Sequence, residues 1–129
     1  MALTHTTAIR NSLADLVVDA IDVGSADASG DLIVQTAADA TLCTINLNAP
    51  PAFGAAASGT ATANGLPKEG TATGAGTAAK FRVRNRDNTE IFQGTVTTTG
   101  GGGDMELSST TIAINDVIRI NTFTYTASA

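Results

Sequence analysis

The chain has 129 residues and a formal net charge of −5 at pH 7, with one Cys, one His and no Trp. Its length fits a single domain, 1–129, whose core can form without disulfides or metal. The Cys and His counts exclude a disulfide framework, a Cys/His zinc site and a haem or iron–sulfur centre from a single chain, so no cofactor is expected.

Apolar residues and charges are unevenly distributed. Ala, Thr and Gly account for 57 residues, whereas Leu, Ile, Val and Phe account for 28, so the core is thin and poor in aromatic rings. The first 40 residues hold six Asp and one Arg, while the remainder is neutral. Neither a membrane-spanning apolar run nor the apolar part of a signal peptide is found, so we expect a soluble protein made in a cytoplasm.

The first predicted element is an amphipathic helix over about residues 5–22. Its apolar side chains recur at spacings of three and four: Ile9, Leu13, Leu16, Val17, Ala20 and Ile21. We expect one Thr within 4–7 to cap its start and Gly24 to stop it. Because the helix dipole disfavours carboxylates near the C-terminal end, Asp19 and Asp22 are expected to need a cation from elsewhere.

From Gly30 onwards the apolar period changes to two, which predicts β-strands. The first two strands, 31–36 and 41–47, are expected to form a hairpin. Further strands are predicted at 80–85, 90–98, 105–108, 112–114 and 117–126.

An Ala/Gly/Thr-rich segment, 49–79, interrupts this pattern. We expect one ordered strand near 58–65 and a loop with mobile tips near 67–76. The sequence therefore predicts a mainly β fold, a β-sandwich or jelly-roll-like domain over about 30–127 with one N-terminal amphipathic helix.

The most specific pattern is a basic row at every second position: Lys80, Arg82, Arg84 and Arg86. On a strand these side chains share one face, while Phe81 and Val83 point to the core. The row could contact nucleic-acid phosphates, could form a solvated outer face, or could pair with a helix of the same or a neighbouring subunit. The helix carboxylates in that third interpretation are Asp15, Asp19 and Asp22. Because the chain is acidic and no exposed aromatic residue interleaves the row, nucleic acid is not an expected partner.

Other candidate sites have weaker patterns. His5 is the only imidazole and is expected to be exposed. Residues 22–31 hold three carboxylates without calcium-loop spacing, so they predict a solvated turn rather than a metal site. Gly100–Gly103 lacks the context of a phosphate loop and predicts a flexible hairpin tip. No catalytic, cofactor-binding or metal-binding residue is therefore predicted, and an enzyme is not expected.

The last predicted strand is apolar on both faces. Ile118 and Ile120 lie on one face, and Val117, Phe123 and Tyr125 lie on the other. Such a strand lies between the sheet core and the helix, or at a subunit interface. Phe123 and Tyr125 are therefore interaction candidates, and a homo-oligomer, either a trimer or a ring imposed by a lattice, is expected.

Several short motifs resemble those of small virion proteins of tailed bacteriophages and prophages. They are the helix start Arg10-Asn11-Ser12-Leu13-Ala14-Asp15, then Pro51-Ala52-Phe53-Gly54 and the Ala/Gly/Thr run through Asn64. Gly76-Thr77-Ala78-Ala79-Lys80-Phe81-Arg82-Val83, Gly94-Thr95-Val96 and the Thr-rich end Thr122-Phe123-Thr124-Tyr125-Thr126 complete the set. The resemblance covers most of the chain and carries no catalytic or binding residue with it.

This resemblance implies a non-enzymatic structural protein of the virion, made in the host bacterial cytoplasm. A small β domain with flexible tips and segregated charge suits a capsid decoration or cement protein. Such a protein binds the major capsid protein and its own copies. A tail- or neck-associated structural protein, such as a fibre base or tail decoration, is the alternative.

Overall fold

The computed structural model describes residues 4–127. Helix α1 spans Thr7–Asp19 and continues into a 3₁₀ turn at Ala20–Asp22, so the helical segment ends where the sequence predicts. The hydroxyl of Thr6 caps α1 by accepting the backbone N–H of Ile9 at 3.3 Å. The chain leaves the helical conformation at Val23, one residue before Gly24.

The strands of the described region follow α1 in the order β1 (Asp31–Gln35), β2 (Thr41–Asn46), β3 (Thr60–Thr62), β4 (Lys68–Thr71), β5 (Gly76–Thr77), β6 (Lys80–Arg84), β7 (Glu90–Thr98), β8 (Met105–Leu107), β9 (Thr111–Ile112), β10 (Val117–Ile120) and β11 (Thr124–Thr126). Five of them form a sheet in the order β2-β1-β6-β7-β8. The others pair as β3–β11, β4–β10 and β5–β9. The fold is thus mainly β and β-sandwich-like with one N-terminal helix, as the sequence predicts.

The central strands follow the period of two. In β6, Phe81 and Val83 are buried while the cations lie on the other face. Strand β1 pairs with both β2 and β6, and all five of its residues are buried. The hairpin of β1 and β2 is antiparallel and confirms the predicted pairing.

The aromatic residues of the chain form one cluster. Phe123 lies at its centre, with its ring centroid 5.3 Å from that of Phe53 and 5.5 Å from that of Phe81. Phe92 contacts Phe81, Phe123 and Tyr125, so the cluster extends from the core towards the surface. The rest of the core combines aliphatic side chains of Leu, Ile, Val and Met with small ones, among them Ala52, Ala61, Ala63, Ala72 and Ala78.

Two predictions about the strands were wrong. The strand predicted over 117–126 is interrupted at 121–123, because β10 pairs with β4 while β11 pairs with β3. The loop expected near 67–76 instead contains β4, which gains its hydrogen-bonding partner only when β10 arrives from far along the chain. By contrast, the ordered strand expected near 58–65 is present as β3.

Candidate functional site

Helix α1 is held on the β domain by polar side chains that accept backbone N–H groups. Three acceptors define this polar clasp: Asn11 Oδ1 to the N–H of Gly59 (2.7 Å), Asp15 Oδ1 to that of Ala56 (2.8 Å) and Asp22 Oδ1 to that of Ala52 (3.0 Å). The guanidinium of Arg10 donates to the carbonyl of Ala127 at 3.3 Å. The Ala/Gly/Thr-rich segment thus presents its backbone to the helix, and one amide and two carboxylate side chains accept its N–H groups.

The clasp corrects two expectations about the helix carboxylates. Asp15 and Asp22 do not pair with the basic row of the same chain, because they face the segment 52–59. The charge of Asp22 near the helix end is compensated by the N–H of Ala52 rather than by a cation. Asp19 is exposed.

Half of the apolar helix residues predicted for burial lie in solvent, whereas Ile21 is fully buried. Ile9 is 50%, Leu13 37% and Leu16 70% exposed, and we call these three residues the helix stripe. At 3.6 residues per turn they lie on the side of α1 opposite Ala14 and Val18, which are buried. The prediction was wrong for this face because the helix has two apolar sides, and the side bearing the clasp is the one that docks.

Lys80, Arg82 and Arg84 share one face of β6, as predicted, whereas Arg86 lies in the turn beyond the end of the strand. The cations of the row are engaged by acidic and carbonyl oxygens of the same chain. The contacts are Lys80 with Asp39, Arg82 with Asp39 (3.2 Å) and Glu90 (3.3 Å), Arg84 with both carboxylate oxygens of Asp31 (2.8 Å each), and Arg86 Nε with the carbonyl of Asp27 (2.8 Å). The three acids offset most of the charge of the four cations and weaken the field that would attract phosphates.

The pair of Asp31 and Arg84 is the most enclosed of these contacts. The Asp31 side chain is only 10% exposed, and that of Arg84 is 28% exposed. The two parallel N–H···O bonds raise the pKa of Arg84 above its ordinary value, chiefly through the side-chain hydrogen bond. The interaction joins β1 to β6 at the directly opposite positions of the ladder.

Gly100–Gly103 is not a hairpin tip. It returns the chain so that β8 runs parallel to β7, with Met105 beside Val96. Gly100 and Gly102 adopt φ values of +87° and +82°, and their N–H groups donate to the carboxylate of Glu106 at 3.3 and 3.0 Å. A carboxylate of the chain itself therefore occupies the amide groups that a bound phosphate would need.

The turn within 22–31 is docked on the turn that joins β6 to β7. Asp87 Oδ1 accepts the N–H groups of Ser25 at 2.9 Å and Ala26 at 3.1 Å. Arg86 N–H donates to the carbonyl of Val23 at 3.0 Å. Within residues 4–127, no group of three or more His, Cys, Asp or Glu side chains is arranged to hold a metal ion.

The Asp87 contacts predict a local pH dependence. Because the N–H of Ser25 and then that of Ala26 stabilise the charged form, the pKa of Asp87 lies below its ordinary value of 3.8. Its contribution to stability is therefore complete at neutral pH and is lost as the pH falls below 3.8 through the folded-state value. An NMR titration should show the Ser25 and Ala26 amides shifting with the Asp87 carboxyl. A titration midpoint of the Asp87 carboxyl at or above 3.8 would contradict this prediction. So would Ser25 and Ala26 amides that shift with pH in Asp87→Asn as they do in the unmodified protein.

Phe123 is not an interface residue, since it is buried in the aromatic cluster of its own chain. Helix α1 packs against β3 and β11, so the end of the predicted strand lies beside the helix, as the first of the two interpretations of this region predicts. Tyr125 is half-buried and lines a surface cleft. Val117, from the same predicted strand, is 63% exposed.

The remaining candidate residues, His5 and Cys43, lie outside the clasp and the basic row. His5 is exposed and precedes α1, as expected. Cys43 is buried, and burial raises the pKa of its thiol above the ordinary value. Among the helices of residues 4–127, none has the length and apolar character needed to cross a membrane.

The sequence pattern missed the clasp residue Asn11 and its acceptor role, because a hydrogen bond to a distant backbone leaves no periodic signal. Gly94 lies inside a strand, and a glycine there was the available sign that other groups, here the Phe81 ring and Asp104, approach the backbone closely. Comparisons with protein-family models, curated proteins and solved structures found no match for this chain.

Proposed function

We propose that this chain is a non-enzymatic structural protein of a bacteriophage virion, a capsid decoration protein that binds the major capsid protein. The observation that carries the proposal is the helix stripe. Ile9, Leu13 and Leu16 stay exposed on an element whose opposite side is already anchored. Apolar side chains grouped on one exposed face are typical of a surface that a partner protein covers. The resemblance of the helix start and of the Thr-rich end to virion proteins supplies the kind of partner.

Charge supports a protein partner with a basic rim. Asp19 is exposed on the same helix, and the chain has a net charge of −5. The carboxylates of Asp15, Asp22 and Asp31 are engaged within the chain. An apolar patch on the capsid protein flanked by Lys or Arg would therefore match the stripe in both polarity and charge.

The location of the protein in intact particles tests the proposed function. Particles of the phage or prophage that encodes the chain would be purified, and the chain located by electron microscopy with a specific label. Its copy number relative to the major capsid protein would be measured by quantitative mass spectrometry. Hundreds of copies distributed over the shell support decoration. A few copies confined to the neck or tail would replace the proposal with the tail-associated role, and absence from particles would overturn both.

Introducing negative charge on the helix stripe tests the binding surface. The double variant Leu13→Glu/Leu16→Glu should reduce binding to undecorated capsids by about tenfold or more, because it places carboxylates in an apolar contact. Its melting temperature should change little, since both side chains are already in contact with water. Val117→Glu is the matched control, because Val117 is 63% exposed but lies outside the stripe. Undiminished binding by the double variant, or an equal loss in Val117→Glu, would contradict the assignment.

A further inference from the structure

A cleft of about 310 Å³ opens where the aromatic cluster reaches the surface. Phe81, Phe92 and Tyr125 supply its apolar wall, and Gln93, Gly94 and Asp104 line it as well. The ring centroids of Phe92 and Tyr125 are 5.2 Å apart with a tilt of 48°. Both of these residues are half-buried, so their rings are accessible from the cleft. We call this the aromatic cleft.

Gly94 brings the polar and aromatic parts of the cleft together. A Cβ at this position would lie 2.7 Å from the Phe81 ring and 3.0 Å from the Cβ of Asp104. Any larger residue would therefore displace one of them. The absence of a side chain at Gly94 is what allows Asp104 and the Phe81 ring to approach the same point.

Asp104 is held in a fixed orientation. Its Oδ2 atom accepts the N–H of Thr95 at 2.9 Å and the hydroxyl of Thr95 at 3.1 Å, and its own N–H donates to that hydroxyl. None of the ion pairs formed within residues 4–127 includes Asp104. It is the only charged residue that lines the cleft. The cleft thus combines aromatic rings with one oriented carboxylate that has no cation beside it.

We propose that the aromatic cleft binds an arginine or lysine side chain presented by a partner protein. A cation gains from both features at once, because an aromatic face attracts it and the Asp104 carboxylate accepts its N–H groups. The same carboxylate would repel an anion. Arginine suits the site best, since its planar guanidinium stacks on a ring while forming hydrogen bonds at its edge.

The basic row of a second copy is not the expected occupant. Lys80, Arg82 and Arg84 are committed to carboxylates of their own chain, and Arg86 to a carbonyl. The inference goes beyond the proposed function, because the cleft lies apart from the helix stripe and its test uses the isolated protein. It holds whether the chain decorates a capsid or belongs to a tail.

The probe is N-acetyl-arginine amide, titrated into the ¹⁵N-labelled full chain and followed by NMR. Shifts are expected at the amides of Gly94, Asp104 and Tyr125, and they should weaken as salt is raised. The citrulline analogue has nearly the same shape without the charge, so it should bind about tenfold more weakly or not at all. Equal shifts with citrulline, or no shift with arginine, would overturn the proposal.

Two variants make the test specific. Asp104→Asn should reduce arginine binding by about tenfold, because it removes the charge and keeps the shape. Asp116→Asn is the matched control: the Asp116 carboxylate also accepts a backbone N–H, from Ala113 at 2.8 Å, but it lies outside the cleft. An equal loss in both variants would show a general charge effect and contradict the proposal. Preferential shifts with methyl glucoside would overturn it in favour of a saccharide site, and arginine-independent dimerisation through the cleft would overturn it in favour of a second copy.

Discussion

Replacing Phe123 with Ala is expected to lower the free energy of unfolding by about 3–5 kcal/mol. The side chain is 3% exposed, and its ring contacts those of Phe53, Phe81 and Phe92. Truncation leaves a cavity at the centre of the aromatic cluster, and a packed core relaxes only partly around such a cavity. Chemical denaturation followed by circular dichroism measures the change, with an unaltered slope indicating that the folded and unfolded states remain comparable.

Val117→Ala is the control for this measurement. Val117 comes from the same predicted strand but is 63% exposed, so its truncation should cost no more than about 0.5 kcal/mol. A loss of similar size in both variants would show that the cluster does not carry the expected energy. A Phe123→Ala variant that stays fully stable but fails to self-associate would instead restore the interface role that burial argues against.

Replacing Asp31 with Ala is expected to lower the free energy of unfolding by about 2–3 kcal/mol. The substitution leaves the Arg84 guanidinium without its bidentate partner beside a buried strand. The loss stays below that of a fully buried pair because the Arg84 side chain is 28% exposed and water can partly replace the carboxylate. Equilibrium denaturation at neutral pH provides the measurement.

A double-mutant cycle separates the pair from the individual side chains. Asp31→Ala, Arg84→Met and the double variant should give a coupling free energy of about 1–3 kcal/mol. Glu69 and Arg119 form the matched exposed pair, with atoms 3.6 Å apart and both side chains more than half exposed. The same cycle there should give less than about 1 kcal/mol. Equal coupling in the two cycles would contradict the role given to burial.

The central strands could be predicted because their burial alternates with the period of the chain. In 80–85, where β6 lies, Phe81 and Val83 alternate with cations, and in 90–98, where β7 lies, Phe92 and Val96 fall on the same face. Strand β4 could not be predicted, since Lys68–Thr71 has no apolar period of its own. It becomes a strand only by pairing with residues nearly 50 positions away.

In the candidate site, too, some features could be predicted from the sequence and others could not. The sequence predicts which face of β6 holds the cations, because that follows from strand geometry. It does not predict that Asp39 and Asp31 meet those cations, since that depends on how β1 lies beside β6. For the helix, hydrophobicity alone predicts that the side containing Leu13 and Leu16 packs against the β domain. The docking surface instead presents backbone amides, and these hydrogen bond to Asp15 and Asn11 on another side of the helix.

The polar clasp has an evolutionary consequence for the Ala-rich segment. Its acceptors recognise main-chain N–H groups, so the side chains of Ala55 and Ala57, which are exposed, contribute nothing to the recognition. Gly59 is different, because its φ is +78° and a Cβ there would lie 2.7 Å from the Arg10 guanidinium. Mutation can therefore change exposed positions such as Ala55 and Ala57 without loosening the helix, provided that Gly59 and the clasp acceptors Asn11, Asp15 and Asp22 persist.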